Sequence, residues 1–262
     1  MYIDTFLKKG KGHEICEDYI ISGEFPFPYI ILSDGCSSSL NTDVGARILC
    51  HVAEKLLLST APEYENWTYF GNEVISEAMP IAALIGIPNT CLDATLIISY
   101  LQDSKVTCIT YGDGNILYKG NKTIEFEIHR TSIQYTPNVP YYLSYVFDKK
   151  VNENYKNSEI KKTVNSLWDE LGIGGKICEE LIHISKPEIK IIPIENSPII
   201  ISSDGIESFN TGTNKIISEL MSFKTTKGKF IKKRMKKMIK NYEKQGIIHT
   251  DDIAIGGYSN EQ

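Results

Sequence analysis

Three times in 262 residues an apolar run stops at an aspartate followed by a glycine. Tyr29-Ile30-Ile31-Leu32-Ser33-Asp34-Gly35 is the first, and Pro198-Ile199-Ile200-Ile201-Ser202-Ser203-Asp204-Gly205 the second. Thr107-Cys108-Ile109-Thr110-Tyr111-Gly112-Asp113-Gly114 is a third, less apolar one. Each run has the length and β-branched content of a buried strand. Each sets a carboxylate at the strand's exit, before a glycine that tolerates positive φ and the close approach of a neighbour. Two segments are mirror images, with acids where a strand begins: Glu17-Asp18-Tyr19-Ile20-Ile21 and Asp251-Asp252-Ile253-Ala254-Ile255. In an antiparallel pair the exit of one strand lies beside the beginning of the next. The five segments can therefore gather their acids on one rim. A single Asp-Gly after a strand is ordinary turn chemistry, but turns alone do not account for five acidic strand ends. Gathered carboxylates repel one another, and burial raises their pKa values. A cation resolves the conflict, and oxygen ligands without a Cys/His cluster favour Mg²⁺ or Mn²⁺ over zinc.

Other strand patterns are Ala94 to Leu101, Val106 to Tyr111, Asn115 to Tyr118, Ile189 to Ile192 and Ile253 to Tyr258. Helical spacing fits Val44 to Leu58, Asn66 to Ile85, Ile206 to Met221 and Phe230 to Tyr242. Strands in runs and helices in pairs predict packed sheets with helices outside, an α+β fold rather than βαβ alternation. No linker divides the chain, so residues 1–262 read as a single domain. Residues 131–188 are the least readable part.

Hydrophobic residues at 42% and charged residues at 23% are ordinary for a soluble globular protein. The net charge of −5 disfavours a uniformly basic nucleic-acid binder. No apolar run approaches the roughly 20 residues of a spanning helix. Met1 to Gly12 holds no apolar stretch of the signal-peptide kind, so the expected compartment is the cytoplasm. The six cysteines are scattered without a C-x-x-C pair and read as reduced, mostly buried thiols. There is no G-x-S-x-G elbow and no Cys-centred phosphate loop. Gly172-Ile173-Gly174-Gly175-Lys176 is not a Walker loop, because the leading glycine would fall on Glu170.

In order and spacing these segments resemble the metal-dependent serine/threonine phosphatases of the protein phosphatase 2C type. The matching motifs are Glu17-Asp18, Asp34-Gly35, Gly112-Asp113-Gly114, Ser203-Asp204-Gly205 and Asp251-Asp252. Asp43-Val44-Gly45-Ala46 sits where the family starts a Gly/Ala-containing helix. Thr90 to Thr95 sits where it has a small-residue turn into a core strand. The resemblance implies a four-layer α-β-β-α sandwich of two antiparallel sheets flanked by helix pairs. It implies two Mn²⁺ or Mg²⁺ ions held by Asp18, Asp34, Asp204, Asp251 and the carbonyl of Gly35. A third would lie between Asp113 and Asp204. Glu17 would orient the attacking water, and Asp252 would stand behind the ligands. Two such cations lower the pKa of a bridging water and clamp the phosphoryl oxygens. No protein nucleophile is then needed. The implied reaction is hydrolysis of phosphoserine and phosphothreonine on a phosphorylated protein substrate, with no nucleic acid and no membrane span. The alternatives are a non-catalytic binding module of the same fold and a hydrolase of a small phosphorylated molecule.

The chain departs from the family at two positions of chemical weight. An arginine that grips phosphate, five residues before the metal-binding Asp18, is replaced by His13, a candidate phosphate contact and proton donor. Lys9, Lys11 and Arg47 are possible substitutes for that arginine. A histidine found in many relatives after the first Asp-Gly is replaced by Cys36, which reads as small packing. Within 131–188 no Asp-His-Ser flap segment occurs. Pro137-Asn138-Val139-Pro140-Tyr141-Tyr142-Leu143 stands there instead, as groove lining or core. Finally, Lys224 to Lys244 holds ten Lys/Arg and one acid around Ile231, Met235, Met238, Ile239 and Tyr242. This predicts an outer amphipathic helix with its lysines in water, a face also able to attract acidic substrates.

Overall fold

The computed structural model describes residues 1–60, 66–118, 127–136, 139–151, 161–167, 176–181, 187–196 and 198–260. All strand pairs among the described residues are antiparallel. One sheet has five strands: β2 (Tyr19–Gly23), β3 (Tyr29–Ser33), β4 (Leu96–Gln102), β5 (Lys105–Tyr111) and β11 (Glu188–Pro193), in the order β11-β5-β4-β3-β2. The other has eight. Its path begins with β1 (Tyr2–Lys8), then β13 (Ile253–Ser259), β12 (Ile199–Ser202) and β6 (Asp113–Tyr118). It continues through β7 (Glu127–Thr136), β9 (Lys161–Leu167) and β10 (Lys176–Leu181), with β8 (Val139–Pro140) beside β7.

Side-chain alternation sorts the core into three apolar seams. Between the sheets lie Ile30, Leu32 and Ile97 from one side and Ile116, Ile199, Ile201, Ala254 and Tyr258 from the other. The Tyr258 hydroxyl meets Ser99 Oγ at 2.9 Å, so these two buried hydroxyls satisfy each other. The opposite face of the five-stranded sheet, through Ile31, Leu96 and Ile98, packs on α1 (Thr42–Thr60) and α2 (Trp67–Leu84). The outer face of the eight-stranded sheet, through Phe6, Leu117, Ile200, Ile253 and Ile255, packs on α3 (Thr213–Met221) and α4 (Phe230–Glu243). The result is the expected four-layer α-β-β-α sandwich, an α+β fold. Each large aliphatic side chain buried in a seam stabilises it by about 1.5–3 kcal/mol.

Helix boundaries follow local chemistry. Asn66 caps α2 by accepting from Tyr69 N at 3.1 Å. The helix expected over Ile206 to Met221 is instead split. Residues Asp204–Glu207 form one 3₁₀ turn, and α3 starts only at Thr213. Between them the chain is drawn aside to hold the segment before β13: Thr250 N donates to Ser208 O at 3.3 Å, and Phe209 bridges to His249.

In α4 the apolar stripe Ile231, Met235, Met238, Ile239 and Tyr242 is buried, as its spacing predicts. Its outer face stacks lysines four apart, as in Lys232/Lys236, Lys233/Lys237 and Lys236/Lys240, each pair costing about 0.2–0.5 kcal/mol in an isolated helix. Among the described residues no helix is long and apolar enough to cross a membrane. Parts of the 131–188 region supply the outlying strands β7, β9 and β10. The glycine cluster at 172–175 and the Pro137-Asn138 pair lie outside the described residues.

Candidate active site

The acidic strand ends meet. Asp34 leaves β3 and is locked against the chain before β4: Thr95 N donates to Asp34 O at 2.8 Å, and Asp34 N donates to Thr95 Oγ1 at 3.2 Å. Asp113 opens β6 after a turn in which Gly112 has φ +89°. Asp204 follows β12, and Asp251 precedes β13. Asp34, Gly35, Asp113, Asp204 and Asp251 line one cleft of about 450 Å³, together with Cys36, Thr95, Tyr142 and Glu207. Asp18 lies buried, its Oδ2 accepting from Ser203 Oγ at 2.7 Å. Ser203 Oγ also accepts from Ala254 N at 3.0 Å, so one hydroxyl ties the beginnings of β2 and β13 to the exit of β12.

The glycines after Asp34 and Asp204 serve close approach rather than positive φ. A Cβ on Gly205 would lie 1.6 Å from the carbonyl oxygen of Asp252, and one on Gly35 would lie 2.9 Å from that of Glu17. Both obstacles are backbone and cannot swing away. We expect Gly205→Ala to pry β12 from the β13 start and destabilise the protein by about 1–3 kcal/mol. Thermal denaturation checks this, and an unchanged midpoint would contradict the close packing.

The two adjacent acids at 251 and 252 do different work. Asp251 is open to the cleft. Asp252 is 1% exposed and binds the N-terminal loop, with Oδ1 accepting from Gly10 N at 2.6 Å and Oδ2 from Glu17 N at 2.6 Å. Glu17 accepts from Thr42 Oγ1 at 3.1 Å through its Oε1. His13 is bracketed by acids: Nδ1 is 3.0 Å from Asp252 and 3.6 Å from Glu17, and Nε2 is 3.4 Å from Asp251. Arg47 lies over the Tyr19 ring at 5.3 Å, Lys9 donates to the His13 carbonyl, and Lys11 faces Glu243 at 3.8 Å.

The electrostatics follow from burial without countercharge. No lysine or arginine is among the described residues lining the cleft. Burial pushes the Asp18 carboxyl up to about 8, with the charges of Asp252 and Asp204 adding to it and hydrogen bonds from Ser203 and Asp34 opposing. Burial also holds Asp34 well above the usual carboxylate range, reinforced by Asp18, Asp204, Asp113 and Asp251. Asp251 is raised by burial and by Asp204. Partial burial would lower the His13 pKa, but the Asp252 hydrogen bond and the charges of Asp252, Asp251 and Glu17 outweigh it and raise it.

The stretch read as groove lining or core divides between the two, and Asp93 is a group beside the cleft that the sequence did not mark. Tyr142 lines the cleft, whereas Tyr141 and Leu143 beside it pack into apolar clusters. Asp93, nearly buried, receives Ser39 Oγ at 2.8 Å and Ser144 Oγ at 2.6 Å. It thereby ties the loop after Gly35 to the segment that carries Tyr142. Cys50, Cys91 and Cys108 are buried as expected, but Cys16 and Cys36 are only half-buried because they border the site. Burial would raise the Cys36 thiol, yet hydrogen bonds from Ser38, Tyr142 and Ser39 bring it below its ordinary value.

Solved structures share this architecture over nearly the whole chain. The serine/threonine phosphatase Stp1 from Staphylococcus aureus is 12% identical, with a TM-score of 0.63 over 99% of this chain and 95% of that one. The serine/threonine phosphatase of S. agalactiae is 12% identical, with a TM-score of 0.60 over 98% and 99%. PppA, a regulatory component of the type VI secretion system of Pseudomonas aeruginosa, is 11% identical, with a TM-score of 0.54 over 98% and 97%. No curated protein matches by sequence. The four-layer sandwich is the fold these solved phosphatases share, and here it carries an acid-lined cleft. The model of the protein phosphatase 2C family matches residues 10–246, and the chain belongs to that family.

Proposed function

We propose that the protein hydrolyses phosphoserine and phosphothreonine on proteins, in a cleft loaded with Mn²⁺ or Mg²⁺. The observation that carries this reading is the convergence of Asp34, Asp113, Asp204 and Asp251 on one cleft over Asp18, with no basic side chain in its lining. An oxygen-only donor set in which burial and mutual repulsion raise the carboxyls of Asp18, Asp34 and Asp251 fits hard divalent cations. Asp18, Asp34, Asp204, Asp251 and the Gly35 carbonyl would hold two, and Asp113 with Asp204 a third. When bound, such ions supply Lewis-acid polarisation of the phosphoryl group and a water acidic enough to attack it.

The chain's own groups do the rest. Glu17, fixed by Thr42, accepts a hydrogen bond from the attacking water and orients it. His13, whose pKa the surrounding carboxylates raise, contacts the phosphate and gives a proton to the leaving oxygen. Tyr142 and Cys36 line the cleft beside the acids and shape what enters.

The test is turnover of p-nitrophenyl phosphate and of phosphopeptides, with and without Mn²⁺. Mn²⁺-dependent turnover is expected, with a loss of about 100-fold or more in Asp204→Asn. In His13→Ala the loss should be about tenfold or more, larger for phosphopeptides than for the good leaving group of p-nitrophenyl phosphate. A folded sample without Mn²⁺-dependent turnover would instead indicate a binding module. Preference for small phosphorylated metabolites over phosphopeptides would indicate the third reading.

A further inference from the structure

We propose that the lysine face of α4, continued by the lysines of the loop after β1, is a docking track for an acidic segment of the phosphoprotein substrate. This rests on the phosphatase reading above and names the substrate's second feature. Ten of the 28 Lys and Arg residues, but only one of the 33 acids, fall between Lys224 and Lys244, leaving 18 basic and 32 acidic residues elsewhere. Six of those ten lie within α4 itself, so the positive charge of an otherwise acidic protein is concentrated on this helix and the residues flanking it. Lys232, Lys233, Lys236, Lys237, Lys240 and Lys244 are exposed and form no ion pair among the described residues. At 100° per residue they occupy one continuous arc. Their spacing makes them repel one another, so the helix keeps an arrangement that an opposite charge from outside would relieve.

The track leads to the cleft. Lys232 N donates to Asp4 in β1 at 2.8 Å, which sets the first turn of α4 beside the body of that strand. The last turn reaches the loop that follows β1, where Lys11 Nζ lies 3.8 Å from Glu243. That loop is laid on the segment presenting Asp251: Lys11 N donates to His249 O at 3.2 Å and Gly12 N to Thr250 O at 2.8 Å. His13, two residues on, touches Asp251 itself. Fourteen helical residues span about 21 Å. An extended peptide covers that distance with about six residues.

The chemistry of the face selects the occupant. Every apolar side chain of α4 is buried, so nothing is left to enter a lipid surface. Among the described residues no exposed aromatic accompanies the lysines to stack on bases, and Arg234 is half-buried over Phe223. What remains is a row of point charges ending at a phosphatase cleft. A chain with a run of Asp or Glu beside the phosphorylated residue matches it in charge and in position.

The experiment uses the full chain and the quadruple variant Lys233→Glu, Lys236→Glu, Lys237→Glu, Lys240→Glu, with the four Lys→Gln changes as a milder set. Turnover is measured on p-nitrophenyl phosphate, on a phosphoserine peptide flanked by six glutamates and on the same peptide with glutamines. Binding of the unphosphorylated glutamate peptide is followed by fluorescence anisotropy, a readout independent of catalysis. The expected result is at least tenfold higher kcat/KM for the acidic peptide, falling as salt rises. The glutamate variant should lose that preference, with p-nitrophenyl phosphate turnover unchanged, and the glutamine set should lose part of it. Equal kcat/KM for both peptides, or anisotropy binding that the variants leave intact, overturns the proposal. Lysine-dependent binding to phosphatidylserine vesicles or RNA without peptide preference also overturns it. Loss of p-nitrophenyl phosphate turnover in the unaltered protein would sink the catalytic reading alone, and the anisotropy arm would still decide the track.

Discussion

Replacing Asp34 with Asn will cost the enzyme its turnover and make the metal-free protein more stable. Asp34 faces the charges of Asp18, Asp204, Asp113 and Asp251, and burial and that repulsion hold its carboxyl well above the usual range. An amide of the same shape keeps the bonds of the Asp34 backbone to Thr95 and removes the charge. In chelator at pH 8 the variant should melt about 2–8 °C higher, from about 1–3 kcal/mol of relieved repulsion. Its Mn²⁺-dependent turnover should fall about a thousandfold, and added Mn²⁺ should raise its melting temperature less than that of the unaltered protein. Scanning fluorimetry with and without Mn²⁺, beside a p-nitrophenyl phosphate assay, measures both. A variant that melts lower in chelator would show that the acids do not strain the fold.

The second large effect is a pH dependence that changes sign with the cation. Asp18, pushed up to about 8, and Asp34 are raised above their unfolded values. Between about pH 4 and pH 8 the folded state therefore binds protons that the unfolded chain has released. Stability falls with rising pH wherever the folded state binds more protons. Metal-free protein should lose about 5 °C or more of melting temperature from pH 5 to pH 8. His13 adds to the same trend. Its raised pKa contributes stability that is complete below the ordinary value of 6.5 and lost as pH rises through the folded value. With Mn²⁺ present the charged carboxylates become the favoured form, binding strengthens as pH rises, and the slope should flatten or reverse. Melting curves at pH 5 and pH 8 in chelator and in Mn²⁺ check this. A flat metal-free profile would mean that water reaches Asp18 and Asp34.

The acids were readable because each stands at a strand end marked by its own neighbours. Ile-Ile-Leu-Ser before Asp34 and Ile-Ile-Ile-Ser-Ser before Asp204 announce buried strands, and the glycine after each announces an irregular exit. Antiparallel pairing then brings the ends together whatever the exact register. The central and outer seams were less readable. Ile199, Ile200 and Ile201 are equally apolar, and only the presence of both a second sheet and a helix layer explains why all three are buried. The strands β7, β9 and β10 carry polar and charged residues such as Lys161, Lys162 and Glu179, which hide a two-residue period. At the cleft, Tyr141 and Tyr142 look alike in sequence, and only the strand-like turn of the backbone sends one to a cluster and the other to the wall.

Sequence by itself determined which acids meet at the cleft, because an acid at a strand end is a local fact of composition and spacing. It also determined the lysine face of α4, since helical periodicity separates apolar from charged positions without reference to anything outside the helix. Tertiary structure alone decided the division of labour between neighbours. Asp252 turns inward to hold Gly10 and Glu17 while Asp251 opens to the cleft, because adjacent residues entering a strand point to opposite faces. It alone decided that Gly205 must lack a Cβ, since the obstacle is a carbonyl 47 residues away in the chain. It alone surrounded His13 with three carboxylates, because a pKa is set by charges gathered through space, from partners that sequence distance does not reveal.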